Sequence, residues 1–308
     1  MDYGRLRKKQ NGGKGRMKTI GFDIGGTNIA AGLVDENGML HKRISLPFPR
    51  DKDFEKVLAA CEEIVRSLEE GESGISQKVG VAVPGSLDRS LSIVLNAFNL
   101  GFSDTPLKQA LSDRLKKEVF LINDADAAIV AEHRVGSLRG CKTAAMVTLG
   151  TGLGAALILN DRLFRGGRGS GTEPGHMILV NGGRPCSCGN HGCAEAYCAA
   201  TRLAKDGAAL GLPDAKAVID AAKASDKAAL ELFSAYVDDL GAFLASLINC
   251  LDPEKIAIGG GVCAAGDFLL KPLQESVDKC AFFADPVPIV LATAGNDAGI
   301  YGAAYAVR

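Results

Sequence analysis

Residues 18–34 read KTIGFDIGGTNIAAGLV, and residues 143–159 read TAAMVTLGTGLGAALIL. Each is an apolar run that breaks at a Gly-rich turn and resumes as a second apolar run, the pattern of two strands joined through glycine. Lys18 to Phe22 and Ala30 to Val34 are the strands of the first unit; Thr143 to Leu149 and Ala155 to Leu159 are those of the second. The units lie about 125 residues apart, which points to a duplicated architecture.

Working outward, Asn37-Gly38 separates Val34 from the run Met39 to Ile44, a hairpin signal. Residues 53–69 carry Phe54, Val57, Leu58, Cys61, Ile64, Val65 and Leu68 at helical spacing. Val79 to Val83 reads as a strand ending at Pro84-Gly85, and Leu107 to Leu115 as a short helix. Val119 to Ile122 is a strand ending at Asn123-Asp124, followed by a small-residue helix to about His133. In the second half, a long amphipathic helix runs from about Ala228 to Cys250, and Lys255 to Ile258 is a strand that opens onto Gly259-Gly260-Gly261. Ala298 to Ala304 is a helix of small residues, for which close core packing is a sufficient reading. The sum is an α/β protein of two similar lobes, with a ligand cleft between them.

The chain has 308 residues, 47% hydrophobic and 23% charged, with a net charge of −1. No broad basic field exists to hold nucleic acid. No apolar run reaches the roughly 18 residues of a membrane span. The basic, Gly-rich segment 1–16 is read as a flexible leader, with Met17 as a natural start. Of nine cysteines, Cys186, Cys188 and Cys193 cluster, and without an export signal the cytoplasm is the expected compartment, where thiols stay reduced.

Five constellations carry chemistry. Asp23-Ile24-Gly25-Gly26-Thr27 and Gly150-Thr151-Gly152-Leu153-Gly154 are turns whose bare backbone N–H groups suit phosphate oxygens, with Asp23 placed to arrange magnesium; a plain Gly-Gly hairpin is the simpler reading of the first. The second leads into another strand, against a dinucleotide fingerprint. Asn123-Asp124 at a strand end offers a carboxylate to take a proton from an alcohol, although spacing alone favours a helix cap. Cys186, Cys188 and Cys193 with one histidine compose a Cys3His structural zinc site. Spacing does not choose between His176 and His191. Glu173 and Glu195 bracket this knuckle, suited to hydrogen-bonding a polyhydroxylated ligand. Gly259 to Gly261 gives a nucleoside flat backbone to lie against.

Together these motifs resemble the ROK family (repressors, open reading frames and kinases), especially its bacterial glucokinase-like sugar kinases, from about residue 18 to 307. The resemblance implies the actin-like ATPase (ribonuclease H-like) fold: an N-terminal lobe over 17–134 rejoined by the C-terminal helix 297–308, and a C-terminal lobe over 135–296. It implies ATP phosphates on Asp23, Gly25, Gly26, Thr27, Gly150, Thr151, Gly152 and Gly154, and adenosine beside Gly259, Gly260 and Gly261. Sugar contacts fall on Gly85, Asn99, Asn123, Asp124, Glu173, His176 and Glu195, with Asp124 as the catalytic base. It also makes His176 the fourth zinc ligand beside Cys186, Cys188 and Cys193. The expected activity is ATP- and Mg2+-dependent hexose phosphorylation, glucose first, with other sugars (N-acetylmannosamine, N-acetylglucosamine, allose, mannose or fructose) as the alternative and a homodimer as the assembly. A sugar-sensing repressor is disfavoured because only 22 residues precede Asp23. This chain departs from the usual pattern at Asp126, where asparagine is common, at Thr172 and Pro174 around Glu173, at Ala155-Ala156, and at Gly101-Phe102. Asp126, Pro174 and the Asn99 region lie where sugar identity is read.

Overall fold

The computed structural model describes residues 17–169 and 171–307. The leader expected over 1–16 lies outside the described residues.

The first half runs β1 (Lys18–Ile24), β2 (Asn28–Asp35), β3 (Leu40–Pro47), α1 (Phe54–Glu69) and β4 (Ile75–Val83). Three short strands follow, β5 (Ser86–Leu87), β6 (Val94–Ala97) and β7 (Phe102–Thr105), then α2 (Leu107–Leu115), β8 (Glu118–Asn123) and α3 (Asp124–Val135). The second half holds β9 (Ala144–Leu149), β10 (Leu153–Leu159), β11 (Arg162–Phe164), α4 (Glu195–Cys198), α5 (Ala200–Ala208), α6 (Ala215–Lys223) and α7 (Lys227–Leu251). It closes with β12 (Lys255–Gly259), α8 (Asp267–Cys280), β13 (Ile289–Leu291) and α9 (Ala298–Ala306). Among the described residues no helix is long and apolar enough to cross a membrane.

The two large sheets share one plan. Their strand orders are β3-β2-β1-β4-β8 and β11-β10-β9-β12-β13. In each, the first three strands of the chain form an antiparallel meander and the next two add in parallel. The repeated strand–Gly-turn–strand units of the sequence are the starts of these two sheets. Each sheet packs its own apolar core. Ile20, Phe22, Val79, Val81, Leu58 and Ile64 are buried in the first, and Val147, Ile256, Ile258, Phe243, Leu244 and Leu247 in the second. Capping side chains start the helices where the sequence supplies them: Asp53 accepts from Lys56 N at 3.0 Å and Asp226 from Ala229 N at 2.9 Å.

Two helices join the halves. α3 packs on β9 and β10 of the second sheet and on α9, while α9 lies across β1 and β4 of the first. Small residues permit this crossing. A Cβ added at Gly302 would fall on the backbone of Ala127 in α3, and one added at Gly80 on the backbone of Ala303. Glu132 of α3, fully buried, accepts from the backbone N–H groups of Thr293 (2.7 Å) and Ala294 (2.6 Å) and so fixes the approach to α9. Because the wall that Gly302 meets is backbone, Gly302→Ala is expected to destabilise the protein by about 1–3 kcal/mol. Denaturant melts check it; an unchanged midpoint would show that the helices separate freely.

Candidate active site

Both Gly-rich turns lie near the N-terminus of α3, the first through Asp23, which feels the Asp124 charge, and the second through Gly154, which approaches Ala125. In the first, Gly25 N donates to Asn28 O at 2.9 Å, leaving Gly26 and Thr27 exposed. Asn99 lies beside it: a Cβ on Gly26 would stand 3.5 Å from the Asn99 Cβ and Nδ2. Asn123 donates from Nδ2 to Gly85 O at 2.9 Å and accepts at Oδ1 from Ala125 N (2.8 Å) and Asp126 N (3.3 Å). Asn123 is therefore the helix cap. Asp124, the first residue of α3, keeps its carboxylate open to solvent. The capping reading of Asn123-Asp124 falls to Asn123.

The second turn is held from behind. Ala200 N donates to Gly150 O at 3.0 Å and Thr201 Oγ1 to Thr151 O at 2.7 Å. Glu195, at the start of α4, accepts from Leu153 N at 3.2 Å and from Ser187 Oγ at 2.7 Å. Any Cβ at Gly152 would run into that carboxylate. Gly154 approaches α3, its would-be Cβ 3.6 Å from that of Ala125. Beyond the turn, Gly260 adopts φ 98°, and a Cβ there would fall on the Leu149 backbone, a conformation and proximity that favour glycine. Gly261 and Val262 then border a pocket of about 400 Å³ walled by Ala200, Lys216 and Lys223.

The acidic residues of the cleft feel one another. Burial, with the charges of Asp124 and Asp297, raises the Asp23 pKa to about 6, and Arg43 opposes the rise. Crowding by protein raises Asp124, against a hydrogen bond from Ala125 N at 2.9 Å. Glu173 is raised by burial and by Asp124 and Glu195, with His176 opposing. Desolvation also acts on Glu195, but its hydrogen bonds from Ser187 and Leu153 prevail and lower it. Desolvation first, and neighbouring carboxylates second, raise Asp23 and Glu173; a divalent cation bound with ATP suits such a cleft.

The knuckle closes beside this cleft. His176, Cys186, Cys188 and Cys193 bring one ligand atom each within 4.8 Å of all the others. Cys188 and Cys193 Sγ stand 3.7 Å apart, as do Cys186 Sγ and His176 Nδ1. Zinc–sulfur bonds of about 2.3 Å at a tetrahedral angle require sulfurs about 3.8 Å apart, so the set fits the ion. His191 is exposed in the hairpin, bridged to Pro185, and takes no part in the cluster.

A model of the ROK family matches residues 19–308. The chain belongs to the ROK family. Over 314 residues it is 35% identical to a glucokinase of Thermotoga maritima, covering 95% of this chain and 98% of the relative. It superposes on the crystal structure of a ROK hexokinase from Thermus thermophilus with a TM-score of 0.85, at 34% identity, covering 94% and 97% of the two chains. A ROK family glucokinase from Streptomyces griseus, solved in complex with glucose and AMPPNP, gives a TM-score of 0.78 at 33% identity, covering 94% and 98%. The duplicated sheets are the two-lobed, actin-like fold of these ROK sugar kinases.

Several polar groups of this ROK cleft were not singled out as site residues from sequence. Asp297 reaches the Asp23 region only because α9 returns to the first sheet, and it pairs with Arg43 Nε at 2.7 Å. Ser187 braces Glu195 from within the knuckle. Arg165 meets the buried Asp126 at 3.5 Å. Asp126 stands out in the sequence as a departure near the expected sugar pocket, but nothing in the sequence joins it to Arg165.

Proposed function

We propose that this ROK protein transfers the γ-phosphoryl group of ATP to the 6-hydroxyl of a hexose, glucose being the first candidate. The observation that carries the reading is Asp124: a cap-free carboxylate at the head of α3, within electrostatic reach of Asp23 on one side and Glu173 on the other. Asp124 takes the proton of the attacking hydroxyl. Gly85, Asn99, Asn123, Glu173, His176 and Glu195 orient the sugar. The turns at Gly25–Thr27 and Gly150–Gly154 hold phosphate oxygens on their N–H groups, and the pocket beside Gly261 takes the nucleoside. Magnesium, arranged by Asp23, supplies charge to offset the phosphates. Zinc on His176, Cys186, Cys188 and Cys193 fixes the loop that carries Glu195. The relatives named above, glucokinases and a hexokinase, support the reaction class.

We assign one lobe to residues 17–134 with 297–308 and the other to 135–296, closing over the sugar to keep water from ATP. The expected setting is the cytoplasm and the expected assembly a homodimer, which light scattering checks. The functional test is coupled ADP release with ATP, magnesium and a sugar panel. Release with glucose supports a glucokinase. Release only with N-acetylmannosamine, N-acetylglucosamine, allose, mannose or fructose keeps the mechanism and changes the acceptor. Silence with every sugar overturns the reading.

A further inference from the structure

Asp126 sits two residues beyond Asp124 and is only 5% exposed. Its ion-pair partner is Arg165, whose Nε lies 3.5 Å from Asp126 Oδ2. That nitrogen is buried and has no hydrogen-bond partner among the described residues. The two residues belong to different parts of the fold. Asp126 is in the first turn of α3, whereas Arg165 follows β11 at the edge of the second sheet. Arg165 is also the stem of the segment that leads to Glu173, and Gly171 N returns to Arg165 O at 3.0 Å. Thr172, next to Glu173, keeps a buried hydroxyl oxygen with no hydrogen-bond partner among the described residues.

The charges around Asp126 are Arg165, Glu173 and Asp124. Arg165 is the cation among three carboxylates that otherwise repel one another. Burial and the two like charges lift the Asp126 pKa to about 6, with Arg165 opposing. A pair with one buried and one half-buried partner gains little net stability, but removing Arg165 strands the buried Asp126 charge. Such a pair is better suited to fixing geometry than to adding stability.

We propose that the Asp126–Arg165 pair is a positioning device for the acceptor sugar. It clamps the stem of the Glu173 segment to the turn that carries Asp124, and so sets which hydroxyl reaches the base. The inference rests on the phosphoryl-transfer reading above and adds to it two residues to which that reading gives no part.

The test is a double-mutant cycle on the full chain with Asp126→Asn, Arg165→Met and the pair combined, read as kcat, sugar KM, ATP KM and melting temperature. Each single change is expected to raise the sugar KM by about tenfold or more while ATP KM stays within about twofold, because misplacement of about an ångström is costly in a positioned site. The combined variant is expected to lose less than the product of the two singles, since no stranded charge remains. Arg165→Lys keeps the charge without the planar guanidinium and is expected to fall between wild type and Arg165→Met; it carries the test if the other variants fail to fold. A sugar KM unchanged in both single variants would overturn the proposal. So would equal losses for sugar and ATP, the signature of a merely structural role, or two effects that simply multiply. Failure of the wild type on every sugar would instead overturn the functional reading, and the proposal with it.

Discussion

Asp124→Ala is expected to lower kcat by about 10²–10⁴-fold while sugar affinity stays within a few-fold, the range for loss of a positioned proton acceptor. In the proposed site, sugar binding is shared among several groups that Asp124 does not hold in place. Asn123 makes its own bonds to Gly85 O, Ala125 N and Asp126 N, so the head of α3 keeps its cap when the Asp124 side chain is removed. Steady-state kinetics with calorimetric sugar binding separate the two quantities. Near-normal turnover would sink the base assignment. The pH dependence has a definite sign. Desolvation by the surrounding protein raises the Asp124 pKa although the residue borders solvent, and only the ionised carboxylate accepts a proton, so kcat/KM for sugar rises with pH through that raised pKa and falls away below it. Asp23 and Asp126, both at about 6, titrate on the same acid side. The residual activity of Asp124→Asn is therefore expected to lose the component of the acid limb that belongs to the base, while any dependence from the other two carboxylates persists.

How far the sequence discloses this site depends on the range of the interactions involved. The runs around Asp23 and Gly150 were legible because strand, Gly turn and strand are adjacent in the chain and their chemistry is local. The helix Leu107 to Leu115 and the long helix near Ala228 to Cys250 were legible from periodicity, and the structure moves the latter's ends only to Lys227 and Leu251. The three-stranded sheet of β5, β6 and β7 was not, since strands of 2 to 4 residues carry too few positions for alternation to register. The partnership of Asp23 with Asp297 was hidden for a different reason. It exists only after α9 returns across the whole chain to β1, and that docking depends on Gly21 of β1 and Gly80 of β4, where a Cβ would fall on the α9 backbone. The sequence-only ambiguity between His176 and His191 is of the same kind. Leu179 N donates to Gly192 O and Ala194 N to Met177 O, both at 2.8 Å, and this pairing carries His176 to the cysteines while turning His191 outward. No spacing rule encodes that register.

Stripping the metal is the other change expected to be large. Cys193 is fully buried, and Ala194 and Glu195 follow it directly, so the knuckle and the carboxylate proposed to face the sugar are joined with no intervening loop. Glu195 in turn accepts from Leu153 N in the second Gly-rich turn. Release of the ion from His176, Cys186, Cys188 and Cys193 would leave the hairpin held by a few backbone bonds, and Glu195 free to leave both the sugar and the turn. Binding to a structural site adds directly to folding free energy, so chelation or Cys193→Ser is expected to remove several kcal/mol and lower the melting temperature by about 10 °C. Sugar KM is expected to rise by about tenfold or more, because the carboxylates are no longer preorganised. Metal analysis of the purified protein should find one zinc per chain, lost on chelation and regained with activity on adding zinc back. Protein that carries no zinc, and whose melting and sugar KM ignore a strong chelator, would overturn the zinc assignment. Lost melting temperature with an unchanged sugar KM would keep the metal but sever it from the sugar site, leaving Ser187 and Leu153 to hold Glu195 in place without it.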